Sequence, residues 1–145
     1  MNTPVTHHPA MPDERAIENL MVEYAYRNDD FDIQGLGELF ADAAFTLDGL
    51  TVQNRSEVEG LAAQIIKARD DGRSATTHEI TNVIIQVDPI AATAVGRAYW
   101  TLYLTITGQP RQALQSGRYD DSFRKSGDRW SFVERRATTL WRLEP

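Results

Sequence analysis

The chain contains no cysteine among its 145 residues. Disulfides, a thiolate nucleophile and cysteine-ligated metals are therefore excluded. Long hydrophobic runs are missing as well: no segment offers the roughly 20 apolar residues that a membrane-spanning helix needs. The opening residues MNTPVTHHPAMP carry three prolines and no apolar core. They are read as a flexible tail over residues 1–12, not a signal peptide, and the cytoplasm is the expected location. Basic charge is scarce and scattered, with 15 Lys and Arg against 21 Asp and Glu and a net charge of −6. A nucleic acid or an anionic membrane would want a basic patch, so neither partner is expected. No glycine-rich strand-to-helix element exists either; GRSAT and GRYDD are not phosphate loops.

What is present is an ordinary globular composition, 41% hydrophobic and 25% charged, in a length that suggests one domain over residues 13–145. Such a domain can bury a core and still enclose one small-molecule pocket. Asp13 offers an N-cap, and Ile17, Leu20, Met21, Tyr24 and Asn28 then recur on one helical face. A second short helix is predicted to start at the N-cap Asp32, with Ile33, Leu36, Leu39 and Phe40 turned inward. AAFTLDGLTV reads as a strand or hairpin. Ser56 and Glu59 have capping-box spacing and predict a third helix through about Arg69, ended by DDG.

From Ala75 the texture changes to four long runs rich in β-branched and aromatic residues. Asp88-Pro89, Gly108-Gln109-Pro110 and Ser126-Gly127-Asp128 supply the breaks. Helices first and long antiparallel strands later predict an α+β domain, with a curved, mainly antiparallel sheet folded over three helices.

Histidine is scarce, three in all. His7 and His8 lie in the tail, where an adjacent pair falls short of the three or four converging ligands of a metal site. His78 lies in the first long strand and alternates with Thr76, Ile80, Asn82 and Ile84 on one face. It reads either as a half-buried structural histidine or as a general base, since an imidazole titrates near neutral pH. A base would need a carboxylate to set its tautomer. The candidates are the three acids of YAYRNDDFD. Asp32 is taken by capping and Asp30 faces water. Asp29 falls at the edge of the buried stripe, with Asn28 nearer its centre and Tyr24 one turn earlier. This polar patch fits a pocket rim as well as a frayed helix end.

Trp100 shares its strand face with Ala94, Gly96, Ala98 and Leu102, and Tyr119 alternates with Gly117 and Phe123. Either aromatic could be plain core or pocket wall. Tyr99 and Tyr103 share a more polar face with Arg97 and Thr101, which suits a subunit interface. Asn82 is expected to hold a backbone amide. Arg135 and Arg136 are most simply surface charges, although opposite faces would let one point inward.

The stretches from Ala16 to Gly49, THEITNVIIQV and GRYDDSFRKSGDRWSFVERR resemble a SnoaL-like domain of the nuclear transport factor 2-like superfamily. The resemblance runs from about Ala16 to Trp141, and its strongest element is Tyr24, Asp29 and Asp32 leading to Leu39-Phe40. It implies a cone-shaped α+β barrel with a pocket between sheet and helices, and a dimer paired through the outer sheet face. The dehydratase branch implies Asp29 and His78 as a catalytic dyad. Tyr24 matches the tyrosine of bile acid dehydratase-like members. Scytalone dehydratase-like members carry a tyrosine where this chain has Asn28, and their second pocket histidine has no counterpart here.

The expected activity is a cofactor-independent lyase. His78 would remove a proton, Asp29 orient it and Tyr24 donate a hydrogen bond, with Asn28, Trp100 and Tyr119 touching a mainly apolar cyclic or aromatic substrate. No metal, nucleotide or flavin is implied. Isomerisation, cyclisation, epoxide hydrolysis and retro-aldol cleavage could use the same dyad. A non-catalytic ligand-binding module on the same fold is the alternative of another class.

Overall fold

The computed structural model describes residues 11–66 and 71–144. Residues 1–10 of the tail predicted over 1–12, with His7 and His8, lie outside the described residues, as do positions 67–70. The third helix, expected to run through about Arg69, ends at Ile65, and Ile66 is already extended. The elements run α1 (Asp13–Asp29), α2 (Ile33–Leu39), β1 (Ala44–Leu47), β2 (Leu50–Gln53), α3 (Asn54–Ile65), β3 (Thr76–Asp88), β4 (Thr93–Leu104), β5 (Gln112–Ser126) and β6 (Arg129–Arg142). The six strands form one sheet in the order β2-β1-β6-β5-β4-β3. Every neighbouring pair is antiparallel except β1 with β6. The sheet is open, with β2 and β3 as its edges, so the expected cone is not a closed barrel. Among the described residues no helix is long and apolar enough to cross a membrane.

The helices form where their apolar faces demand it. Ile17, Met21, Tyr24, Ala25 and Asn28 of α1 are buried. They pack on the sheet, chiefly on β3 and β6. Asp32 caps α2 as expected, accepting the Gly35 N–H at 2.9 Å. Two other expected caps are corrected. Pro12 occupies the N-cap of α1, and the Asp13 carboxylate instead accepts Trp130 Nε1 at 2.8 Å and Lys125 Nζ at 3.0 Å. A partner from the β5–β6 hairpin thus outcompetes the local backbone. The box at Ser56 and Glu59 is displaced two residues upstream: Asn54 Oδ1 accepts the Glu57 N–H at 3.3 Å, and Glu57 accepts the Gln53 N–H at 3.1 Å. The β1–β2 hairpin needs an early helix start, and Asn54 tolerates the positive φ of 63° this requires.

Bulges bend the long strands. β3 carries an extra residue between Thr81 and Ile84, β4–β5 shift register after Leu102, and β5–β6 shift at Ser116/Gly117 and Ser122/Phe123. Each bulge coils the sheet over the helices. The first also corrects the expected alternation of His78 with Asn82 and Ile84. Asn82 takes a positive φ of 58° and Ile84 turns to the outer face, 50% exposed. Asn82 is exposed, and no hydrogen bond from its side chain to a backbone amide is found among the described residues.

Candidate functional site

The site begins where α1 meets the edge strand. β3 pairs with β4 on one side only, so alternate backbone groups on its other side lack a strand partner. The Asp29 carboxylate supplies one: Oδ2 accepts the His78 backbone N–H at 2.9 Å. Its other oxygen, Oδ1, lies 2.8 Å from His78 Nδ1. The Asp29 carbonyl also accepts the Ser74 N–H at 3.0 Å. Three contacts therefore hold the end of α1 against the start of β3, and they cover an open sheet edge. Both side chains are largely withdrawn from water, 9% exposed for His78 and 12% for Asp29.

With Nδ1 engaged by a carboxylate, the free ring nitrogen is Nε2. His78 lines a cavity of about 240 Å³ between sheet and helices, together with Tyr24, Asn28, Trp100 and Tyr119. Asp29 stands behind His78 and is not part of the wall. Asp30 is exposed and pairs with Arg73 at 3.1 Å, as expected of it. Asp29 is buried at the edge of the α1 stripe, but its carboxylate turns to His78 and does not face the cavity as expected. Phe45, Leu47, Ile65, Ile66, Leu102 and Ala137 make most of the wall apolar. A smaller recess under α3, lined by Leu36, Val58, Leu61 and Ala62, shares Tyr24 and Asn28 with it.

Tyr24 sits among rings. It stacks on Phe45 at 5.7 Å and meets Phe40, Tyr119 and His78 edge-on at 6.1, 5.8 and 5.8 Å. Burial pushes its pKa up to about 12, against the opposing pull of Arg135 and a hydrogen bond with Asn28. Burial likewise raises Tyr119 well above the ordinary phenol range. Both phenols keep their protons at any physiological pH and are hydrogen-bond donors.

Beneath these tyrosines lies a pair that the sequence reading missed. Arg135 is fully buried, which corrects its expected surface position. Its Nε and Nη2 donate to the two oxygens of Asp121 at 3.0 and 2.9 Å. The guanidinium lies 3.7 Å from the Tyr119 ring centroid and 4.8 Å from that of Tyr24. Burial works against its charge, but Asp121 outweighs this and holds the arginine pKa above its usual value. The signal was there in part: Asp121 alternates with Tyr119 and Phe123, which are core. Strict alternation from Phe132 would, however, have turned Arg135 outward; the bulge opposite Ser122/Phe123 reverses it. Arg136 does face solvent, bonded to Glu134 at 2.9 Å.

The remaining missed residues lie at the mouth. Asp48 accepts the Thr139 N–H and hydroxyl, each at 2.7 Å, and these two bonds lower its pKa. Arg142, Gln115 and Thr139 complete this rim. His78, Leu102, Gln115 and Arg142 are successive cross-strand partners over β3, β4, β5 and β6. One row across the concave face thus runs from the histidine to the mouth. Tyr99 lies on the outer face, 47% exposed, and Tyr103 is half-buried under Arg111, 3.7 Å from its guanidinium. Among the described residues, no three His, Asp or Glu side chains converge as metal ligands would.

The family model of the SnoaL-like domain matches residues 9–136. A search of curated proteins finds no significant match. Among solved structures, similarity extends to a protein of unknown function from Mycobacterium tuberculosis, solved as a single-substitution variant. It is 24% identical with a TM-score of 0.72 over 88% of this chain and 76% of that one. A provisionally named scytalone dehydratase from Novosphingobium aromaticivorans is 22% identical, with a TM-score of 0.72 over 92% and 87%. LinA is 18% identical, with a TM-score of 0.71 over 91% and 93%. At these identities the likeness establishes a common fold.

Proposed function

The chain belongs to the SnoaL-like domain family, and on that footing we propose that it is a cofactor-independent, dehydratase-like lyase acting on a small, mainly apolar cyclic or aromatic molecule. The observation that carries this reading is the two-point contact of Asp29 with His78 at the wall of an apolar cavity. A carboxylate on Nδ1 holds the proton there and leaves Nε2 with its lone pair toward the cavity. It also stabilises the imidazolium once a proton arrives.

His78 Nε2 takes a proton from the carbon next to a substrate carbonyl. The C–H electrons pass into an enolate, and Tyr24 donates its hydroxyl hydrogen to the oxyanion. As the enolate collapses, a carbon–carbon double bond forms and the β C–O bond breaks. The departing hydroxyl takes the proton from His78 and leaves as water, which returns the imidazole to its starting state. Because Tyr24 keeps its proton up to about pH 12, it serves as a donor and not as a base. The provisional scytalone dehydratase among the structural relatives is in keeping with this class of reaction.

The test is turnover on a panel of cyclic β-hydroxy ketones, scored by water loss. His78→Ala should lower kcat/KM by about 10²–10⁴-fold, the usual share of general base catalysis. Asp29→Asn should fall with it, because an amide can no longer stabilise the imidazolium. Tyr24→Phe should lower kcat more than it raises KM. Equal turnover by the wild type and His78→Ala would overturn the assignment.

A further inference from the structure

We infer that the substrate of this site carries an anionic group, a carboxylate, at the end remote from the reacting carbon, and that Arg142 recognises it. This deepens the proposed lyase reading by naming the substrate class, and it rests on that reading's choice of cavity. Among the described residues lining the cavity, Arg142 is the one arginine or lysine. Its neighbour Asp48 is already engaged by the N–H and hydroxyl of Thr139. The nearest approach of Arg142 to Asp48 is 3.9 Å, an ion pair without a hydrogen bond. Among the described residues no acceptor takes a hydrogen bond from this guanidinium, which stands exposed at the mouth beside Asp48. A guanidinium fork matches the two oxygens of a carboxylate.

The cross-strand row fixes the scale of the molecule. Arg142 and His78 stand three strand spacings apart across the concave face, about 14 Å between backbones. Both residues line the cavity, with Leu102 and Gln115 between them. A molecule of one or two rings suits that span. The cavity volume of about 240 Å³ agrees, since drug-sized ligands need about 300–1,000 Å³. An apolar ring system with its activated carbon at His78 and a carboxylate at Arg142 fills both ends.

Calorimetric titration with 2-naphthoate and its neutral isostere 2-naphthamide, in low salt at pH 7, tests this directly. The wild type should bind the carboxylate about tenfold tighter or more. Arg142→Gln should abolish that preference while leaving the affinity for the amide unchanged, and Arg142→Lys should retain part of it. Equal affinity of the wild type for the two probes overturns the inference. So does a preference that survives in Arg142→Gln, or a failure of both probes to bind. His78→Ala separates this inference from the lyase reading. It should keep the carboxylate preference while losing turnover. If His78→Ala keeps turnover and Arg142→Gln still loses the preference, the catalytic assignment falls and anion recognition stands.

Discussion

Arg135→Met leaves Asp121 inside the protein with no counter-charge. Both side chains of this pair are 0% exposed, and two charge-assisted hydrogen bonds at 3.0 and 2.9 Å are lost together. Charge-assisted bonds are worth about 1.5–3 kcal/mol each. Breaking a buried ion pair by removing one partner costs about 3–5 kcal/mol, and the two figures agree. A small domain has about 5–15 kcal/mol of stability in total, so this one substitution removes a large share. At about 3 °C per kcal/mol, Tm should fall by roughly 10–15 °C. Urea unfolding followed by circular dichroism measures the loss directly. The double variant Arg135→Met/Asp121→Leu should recover most of it, because replacing both charges with apolar groups of similar volume is often close to neutral. A loss under about 1 kcal/mol in Arg135→Met, or no recovery in the double variant, would refute the argument that desolvation dominates here.

Two further outcomes follow from the packing and the titrating acids. A Cβ at Gly117 would run into the Thr138 carbonyl and come within 2.5 Å of Trp100; backbone cannot yield, so Gly117→Ala should cost about 1–3 kcal/mol. It should also shift the indole into the cavity and weaken probe binding in the same titration. Asp13 and Asp48 have folded pKa values below the ordinary 3.8, through the Trp130 hydrogen bond and the Thr139 hydrogen bonds respectively. Their contribution is therefore present above about pH 3.8 and is lost as pH falls through the lowered values. Asp13→Asn and Asp48→Asn should each be less stable at pH 7 and show a shallower acid decline below about pH 4; unchanged acid limbs would contradict this.

Local grammar carried much of the fold. The α1 stripe ending in Tyr24 and Asn28, the Asp32 cap and the β-rich second half all have signals within a few residues, and each formed as those signals require. Where readings slipped, something distant had intervened. Asp13 fits a cap in sequence, yet Trp130 and Lys125 reach it from more than a hundred residues away. Ile84 and Arg135 each lie beyond a bulge, and one inserted residue exchanges the two faces of a strand. No short-range pattern marks where such an insertion falls. Arg142 and Asp48 escaped notice for a related reason. A rim is defined by which strand ends come together, and two polar residues far apart in the chain have no pattern of their own.

Sequence alone determined the fold class, the separate stations of Asp30 in water and Asp32 at a helix cap, and the pool of residues from which a site could be made. It did so because helical and strand periodicity, capping and turn chemistry act over a few neighbours. Only the tertiary structure decided that Asp29 reaches His78, since that contact depends on β3 being an edge strand whose free N–H meets the end of α1. It alone decided that Arg135 is buried and Arg136 is not, because a bulge in β6 sets which face each takes. Both outcomes hang on strand order and register, which pairing partners tens of residues away impose.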